Sequence, residues 1–197
     1  PPRSERTTRG VALALQLRPA GDRVVLHAAR RWEHIEDRLR SVSSLGRLQR
    51  TDVVRETQSP QLGARLGVGA GLELKANWSR AERPPDFMEL FGNQGSVMGN
   101  PALRPEHTLN ADVGLSWTHA TESGLALSLD VTHFESRGED LVVYIHYSQS
   151  SVRAENISQA RIRGEELSLR LTTPQHLGLT GGPPPLATRA EGPGPYW

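Results

Sequence analysis

The side chains able to do chemistry in this 197-residue chain are numerous but scattered. Seven His occur, and no two stand at i and i+4 around a Glu, so the zinc-protease arrangement is absent. Zero Cys removes thiolate metal sites, cysteine nucleophiles and disulfides together. Gly67-x-Gly69-x-Gly71 has the wrong spacing for a dinucleotide fingerprint and reads as a turn, and no Gly-x-Ser-x-Gly or phosphate loop is present. Glu165 and Glu166 are neighbours on an alternating segment, so they face opposite ways and cannot work as an acid–base pair. Glu33-His34-Ile35-Glu36-Asp37 reads as a solvated loop, with metal binding as its alternative. An enzyme is not expected, and no cofactor is implied. What remains is binding chemistry. Arg80, Arg83, Arg137 and Arg153 offer guanidinium forks for anionic groups, and Phe87, Phe91, Tyr144 and Tyr147 offer apolar or stacking surface. Packing within loops, or contact with lipopolysaccharide, is the plainer role for each.

Those residues sit on or between segments whose dominant period is two. Val11, Leu13, Leu15 and Leu17 alternate with smaller or polar residues, and so do Leu72 to Trp78, Leu109 to Trp117, Leu125 to Val131, and Leu167 to Leu171. Successive strand side chains point to opposite faces, so each segment predicts a strand with one apolar and one polar face. Weaker candidates lie at 24–32, 60–68 and 141–147. Residues 31–48 are charged without a clean apolar stripe, which leaves only a poor helix candidate.

Connections carry a second pattern. Short turns are expected at Pro19-Ala20-Gly21-Asp22, at Val68-Gly69-Ala70-Gly71, over 119–124 and near Pro174-Gln175-His176. Between them lie long stretches at 33–59, 81–106 and 136–160. Soluble sandwiches have no reason to alternate short and long connections, whereas an outer-membrane barrel has short periplasmic turns and long extracellular loops. Trp32, Trp78, Trp117 and Phe134 fall near strand ends, where an interfacial girdle would place them. The expected fold is therefore all-β, an antiparallel up-and-down meander forming part of a transmembrane β-barrel. The apolar row would face lipid and the polar row a lumen. A soluble or surface-exposed antiparallel β-sheet binding module is the alternative. Net charge is +1, from 23 basic and 22 acidic residues, so no nucleic-acid partner is expected. Residues 181–197 contain five Pro and four Gly, and read as a disordered tail after a barrel unit over 1–180.

One block carries a resemblance. Asn77-Trp78-Ser79-Arg80 runs into Arg83-Pro84-Pro85, then Phe87-Met88-Glu89-Leu90-Phe91, then Gly99-Asn100-Pro101-Ala102-Leu103-Arg104-Pro105-Glu106. Downstream, His133-Phe134-Glu135 and Asp140-Leu141-Val142 precede Asn156-Ile157-Ser158-Gln159-Ala160-Arg161-Ile162-Arg163-Gly164-Glu165-Glu166-Leu167. In this order the blocks resemble the barrel of TonB-dependent outer-membrane receptors, well over 72–180 and by general pattern over 8–71. The motif positions are Arg83, Pro85, Phe87, Glu89, Leu90, Phe91, Gly99, Asn100, Pro101, Leu103, Pro105, Glu106, Asn156, Gly164, Glu166 and Leu167. The resemblance implies a bacterial outer-membrane location and import of siderophore-bound iron, cobalamin or a similar scarce ligand. It also implies a 22-stranded barrel, of which this chain would hold about eight or nine strands. Implied partners are outer-membrane lipid and lipopolysaccharide, a plug domain and the TonB energy-transducing complex. With neither plug nor full strand count in this sequence, a fragment that does not transport alone is expected.

Overall fold

The computed structural model describes residues 5–42, 48–92, 95–173, 178–181 and 189–191. The elements in chain order are β1 (Glu5–Leu17), β2 (Pro19–Asp22), β3 (Val24–Val42), β4 (Leu48–Gly69) and β5 (Leu72–Arg83). A single helical turn α1 (Phe87–Phe91) follows, then β6 (Val97–Met98), β7 (Glu106–Ala120), β8 (Ala126–Ser148), β9 (Ser151–Thr172), β10 (Gly178–Gly181) and β11 (Arg189–Glu191). Among the described residues one sheet runs β1-β3-β4-β5-β7-β8-β9-β10, and β6 and β11 also pair with β9. Long neighbours are antiparallel throughout; the two-residue β6 alone pairs parallel. No helix among the described residues is long and apolar enough to cross a membrane, and strands can do so without one.

Register makes the two faces continuous. Leu15 pairs with Ala28, Ala28 with Leu62, Leu62 with Trp78, and Trp78 with Ala111. Leu74 pairs with Leu115, Leu115 with Val131, and Val131 with Leu167. All these side chains share one face, and no described residue covers it. Val11 is 63% exposed, Leu13 64%, Leu115 40% and Leu169 47%. The buried hydrophobic side chains among the described residues are Ile35, Leu90, Leu103 and Ala154, far too few to hold a sheet of this size in water. An apolar face this extensive is stable only against lipid or another apolar surface. The opposite face carries Lys75, Asn77, Asp112, Ser116 and Asp130. There Lys75 Nζ donates to Ser116 Oγ at 2.6 Å and Asn77 Nδ2 to Asp112 Oδ2 at 2.8 Å.

Turns at one end of the sheet are tight, as expected. Gly69, Ala70 and Gly71 all have positive φ, and a Cβ on Gly71 would lie 1.9 Å from the Thr118 carbonyl oxygen. Only glycine fits there. The other end differs from expectation. The described part of 33–59, read as a long polar stretch, is the upper halves of β3 and β4, still paired from Glu33 opposite Thr57 up to Val42 opposite Leu48; 43–47 lie outside the described residues. Residues 136–160, read as irregular, are mostly the upper halves of β8 and β9. Above the apolar band the outer face carries His34, Glu36 and Glu56, and the covered inner face holds charged Asp37 and Arg55 beside Ile35, so apolar–polar alternation vanishes although the ladder continues. For the same reason Glu33-His34-Ile35-Glu36-Asp37 is strand and not loop, with Ile35 and Asp37 buried. The helical alternative for 31–48 fails on the described residues, which are strand. The turn expected at 174–176 lies outside the described residues. Within 181–197, Gly181 and Arg189–Glu191 are strand; the remainder lies outside the described residues.

Candidate functional site

The irregular connection between β5 and β7 organises the upper, inner side of the sheet. Pro84 and Pro85 cannot donate to a ladder, so β5 ends at Arg83. Asp86 then caps α1: its Oδ1 accepts from Glu89 N at 2.8 Å, while Glu89 Oε2 accepts from Asp86 N at 2.7 Å. This reciprocal capping box stabilises a turn too short to persist alone. The helix ends at Gly92, where φ is 69°. The Phe87 and Phe91 rings stand 5.9 Å apart, and Leu90 is fully buried against Leu103 and Ala154 with Phe91 and Val142 beside it.

Three polar clamps fix this loop to distant strands. In the first, Asp37 on β3 is wholly buried and accepts from Arg6 Nε of β1 at 2.6 Å and from Arg55 Nη1 of β4 at 3.1 Å. Arg6 also donates to the Pro85 carbonyl at 2.7 Å and lies 5.0 Å from the Phe87 ring centroid. Arg55 donates to the Leu103 carbonyl at 3.3 Å. Burial, the larger effect, pulls the Arg55 guanidinium below its ordinary pKa although Asp37 opposes it. The second clamp is Arg83, which pairs with Glu106 at 2.6 Å and Glu89 at 3.0 Å. The Arg83 hydrogen bond, helped by Val142 N donating to Oε1 at 2.7 Å, holds the Glu106 carboxyl below its ordinary pKa against burial. Third come two amides. Asn100 Nδ2 donates to the Ala154 carbonyl at 3.0 Å, and Asn156 accepts from Arg104 N at 2.8 Å while donating to the Asp140 carbonyl at 2.6 Å. Gly99 is obligatory by space, since a Cβ there would sit 2.3 Å from the Phe91 backbone.

The motif positions thus share a structural task. Arg83, Pro85, Glu89, Leu90, Phe91, Gly99, Asn100, Leu103, Glu106 and Asn156 all hold the loop on the inner face. Phe87 contributes its ring, Pro101 offers its carbonyl to Arg55 at 3.5 Å, and Pro105 leads into β7. Gly164 is buried on β9 opposite Phe134, Glu166 lies opposite Thr132 on the inner face, and Leu167 joins the apolar band opposite Val131.

Of the residues proposed for ligand contact, Phe87 and Phe91 come together, and Tyr144, opposite Ala154, stands near the same turn. Partial burial first, and then the Asp86 and Glu89 charges, push the Tyr144 phenol up. Arg83 is committed to its two carboxylates. Arg80 and Arg137 both pair with Leu109 in the register, which puts them on the outer face and away from the lumen. Arg153 pairs with Glu155 at 3.3 Å, and Tyr147 is exposed near the hairpin tip after β8. Arg6 and Arg55 are not singled out by the sequence, and Asp37 is, but as part of a solvated loop or metal site and not as an ionic clamp. Their one trace is that Ile35 and Asp37 keep strand spacing inside a charged stretch. Among the described residues no group of three His, Asp or Glu could hold a metal ion.

Residues 1–183 match the family described as TonB dependent receptor-like, beta-barrel, and the chain belongs to that family. It is similar to the vitamin B12 transporter BtuB of Photobacterium profundum, with 26% identity over 117 residues, covering 57% of this chain and 18% of that protein. Its fold resembles the Serratia marcescens hemophore receptor HasR, solved as a double mutant with hemophore HasA and heme. The TM-score is 0.70 at 18% identity, over 85% of this chain and 32% of that one. The FrpB iron transporter of Neisseria meningitidis (F3-3 variant) gives 0.66 at 16% identity, over 96% of this chain and 26% of that one. The chain therefore spans about a fifth of the BtuB relative and between a quarter and a third of these two structures.

Proposed function

We propose that this member of the TonB-dependent receptor family forms part of the barrel wall of an outer-membrane importer. Its cargo would be a scarce metal chelate or cofactor: siderophore-bound iron, heme or cobalamin. The observation that carries the reading is the uncovered apolar band on one face with polar rungs on the other. A soluble binding module would bury the first row, and the exposed Leu115 and Leu169 argue against that. The relatives named for vitamin B12, heme and iron transport support the cargo class. Plug domain, TonB complex and surrounding lipopolysaccharide enter as partners on the same reading.

The chain by itself transports nothing on this proposal. Among the described residues β1 pairs only with β3 and presents its other edge unpaired. In hydrocarbon each unmatched N–H or C=O costs several kcal/mol, so the wall needs strands beyond those described. Phe87, Phe91 and Tyr144 then form a ligand-contact surface at the upper inner side, the clamps keeping it in place.

Two measurements test this. Single-cysteine labelling from within the bilayer should modify Val113→Cys, Leu115→Cys and Leu127→Cys but not Asp112→Cys or Ser128→Cys; the reverse pattern would end the barrel reading. Liposomes carrying residues 1–197 alone should take up no ligand, and specific uptake would refute the dependence on further strands.

A further inference from the structure

The aromatic and thioether side chains of this protein are gathered at one corner of the fold. The chain holds three Phe, three Tyr and two Met. Six of those eight, Phe87, Met88, Phe91, Met98, Tyr144 and Tyr147, stand on the loop after β5 or at the top of the β8–β9 hairpin. Pairing of β6 with β9 gathers them: Val97 lies opposite Val152, Val152 lies opposite His146, and Val152 N donates to the Ser96 carbonyl at 2.8 Å. Both β6 and the hairpin top belong to stretches that carry no Asp, Glu, Lys or Arg, 90–103 and 141–152. Met88 remains 50% exposed and Tyr144 44%, so the packing that buries Leu90 leaves both open to a partner.

The cations described around this corner are already paired. On the inner side Arg6 and Arg55 share Asp37, Arg83 holds Glu89 and Glu106, and Arg31 pairs with Glu33. Arg104 pairs with Asp140 at 2.6 Å, and Arg153 with Glu155 at 3.3 Å. Asp86, by contrast, makes no ion pair among the described residues, and its Oδ1 accepts only the Glu89 N–H. After burial, the Asp86 and Glu89 charges push the Tyr144 phenol up, so negative charge is disfavoured at that hydroxyl. An anionic chelate entering here would exchange water for a surface with an unpaired carboxylate and no free guanidinium, which is unfavourable. Aromatic rings and a thioether instead accept flat, uncharged surface, and the Phe87 and Phe91 ring planes lie only 33° apart.

We propose that this corner takes the flat, uncharged face of a metallated macrocycle and rejects polyanionic metal chelates. Phe87, Phe91 and Tyr144 supply ring surface, and the flexible Met88 side chain fits itself to the outline of the cargo. Asp86 repels an approaching carboxylate or catecholate. The inference rests on the import reading and narrows its cargo to the macrocyclic classes, leaving out anionic siderophore complexes.

The test uses the intact protein purified from outer membranes in mild detergent, with equilibrium binding of cyanocobalamin, hemin and a ferric tris-catecholate. The better-bound macrocycle should exceed the trianionic catecholate complex in affinity by about tenfold or more. Met88→Lys, which places a cation two residues from Asp86, should narrow that ratio by about tenfold. Tyr144→Ser should weaken the macrocycle by about tenfold and leave the catecholate unchanged. Unchanged β-sheet circular dichroism shows that the variants fold; should Tyr144→Ser not fold, Met88→Lys decides. Catecholate binding as tight as the better macrocycle, an unchanged ratio in Met88→Lys, or macrocycle binding untouched by Tyr144→Ser overturns the inference and leaves the import reading in place. Binding of none of the three would instead overturn the import reading beneath it.

Discussion

Replacing Asp37 with Asn should free the loop at 84–105 while leaving the membrane band intact. The Asp37 carboxylate is fully buried and compensates Arg6 at 2.6 Å and Arg55 at 3.1 Å; the Arg55 side chain is only 7% exposed. Asn keeps the shape but removes the charge, which leaves two guanidiniums facing each other with no counter-ion. Removing one partner of a buried pair costs about 3–5 kcal/mol, since the remaining charge stays desolvated. The same guanidiniums hold the Pro85 and Leu103 carbonyls, so the loss falls on loop attachment. At 1.4 kcal/mol per tenfold, amide exchange over 86–92 and 99–104 should speed up by about a hundredfold to a few thousandfold. Exchange in β5 and in β7 below Leu109 should not change. Hydrogen–deuterium exchange read by mass spectrometry resolves those peptides separately. A triple change of Arg6, Asp37 and Arg55 to Leu removes all the charges together and should recover part of the protection. Loop exchange within threefold of wild type in the Asp37→Asn protein would show that the ionic cluster does not hold the loop.

Leu115→Arg places a charge in the exposed apolar band and should destabilise the membrane-inserted protein by about 2–4 kcal/mol in urea titrations, with Ser128→Arg on the opposite face costing far less. Gly99→Ala drives a methyl into the Phe91 backbone and should cost about 1–3 kcal/mol, seen as faster exchange around α1. Asn156→Ala removes the acceptor of the Arg104 amide and a donor to the Asp140 carbonyl, at about 0.5–1.5 kcal/mol for each bond that water can replace, and amide exchange over 99–104 should then speed up. Because the folded Glu106 carboxyl titrates below its ordinary value, its stabilising share is complete above the ordinary carboxylate range. That share fades as pH falls through the lowered value, so acid should lower the loop's protection factors, taken against the intrinsic exchange rate at each pH, in wild type and do so less in Glu106→Gln.

Two-residue alternation makes β1, β5, β7 and the lower parts of β3, β4, β8 and β9 legible, because a bilayer imposes one-sided hydrophobicity over a fixed height. Gly69 and Gly71 likewise mark a turn that only positive φ allows. The blocks from Arg83 to Glu106 and from Asn156 to Leu167 are recognisable as motifs. Their task is not: Asn100 reaches Ala154 and Asn156 reaches Arg104, across more than fifty positions of chain. Strand above the band is illegible because both rows carry charged or polar residues there, Glu36 and Glu56 outward and Asp37 and Arg55 inward, which removes the contrast that alternation records. Arg80 and Arg137 look like lumen candidates in the sequence for a related reason, since their face depends on counting register from Leu109 across three strands.

By itself the sequence determined an all-β meander with one apolar and one polar face, tight turns at one end and a Pro-bounded corner after β5. Tertiary structure alone decided that Asp37 lies between Arg6 and Arg55 and that the corner folds inward onto β9. It also decided that Arg80 and Arg137 stand on the outer face. Local patterning reports the solvent each face meets, and solvent contrast is averaged over a strand. Ionic clamps depend on single atoms brought within about 3 Å by the registry of several strands, and no local pattern encodes that registry.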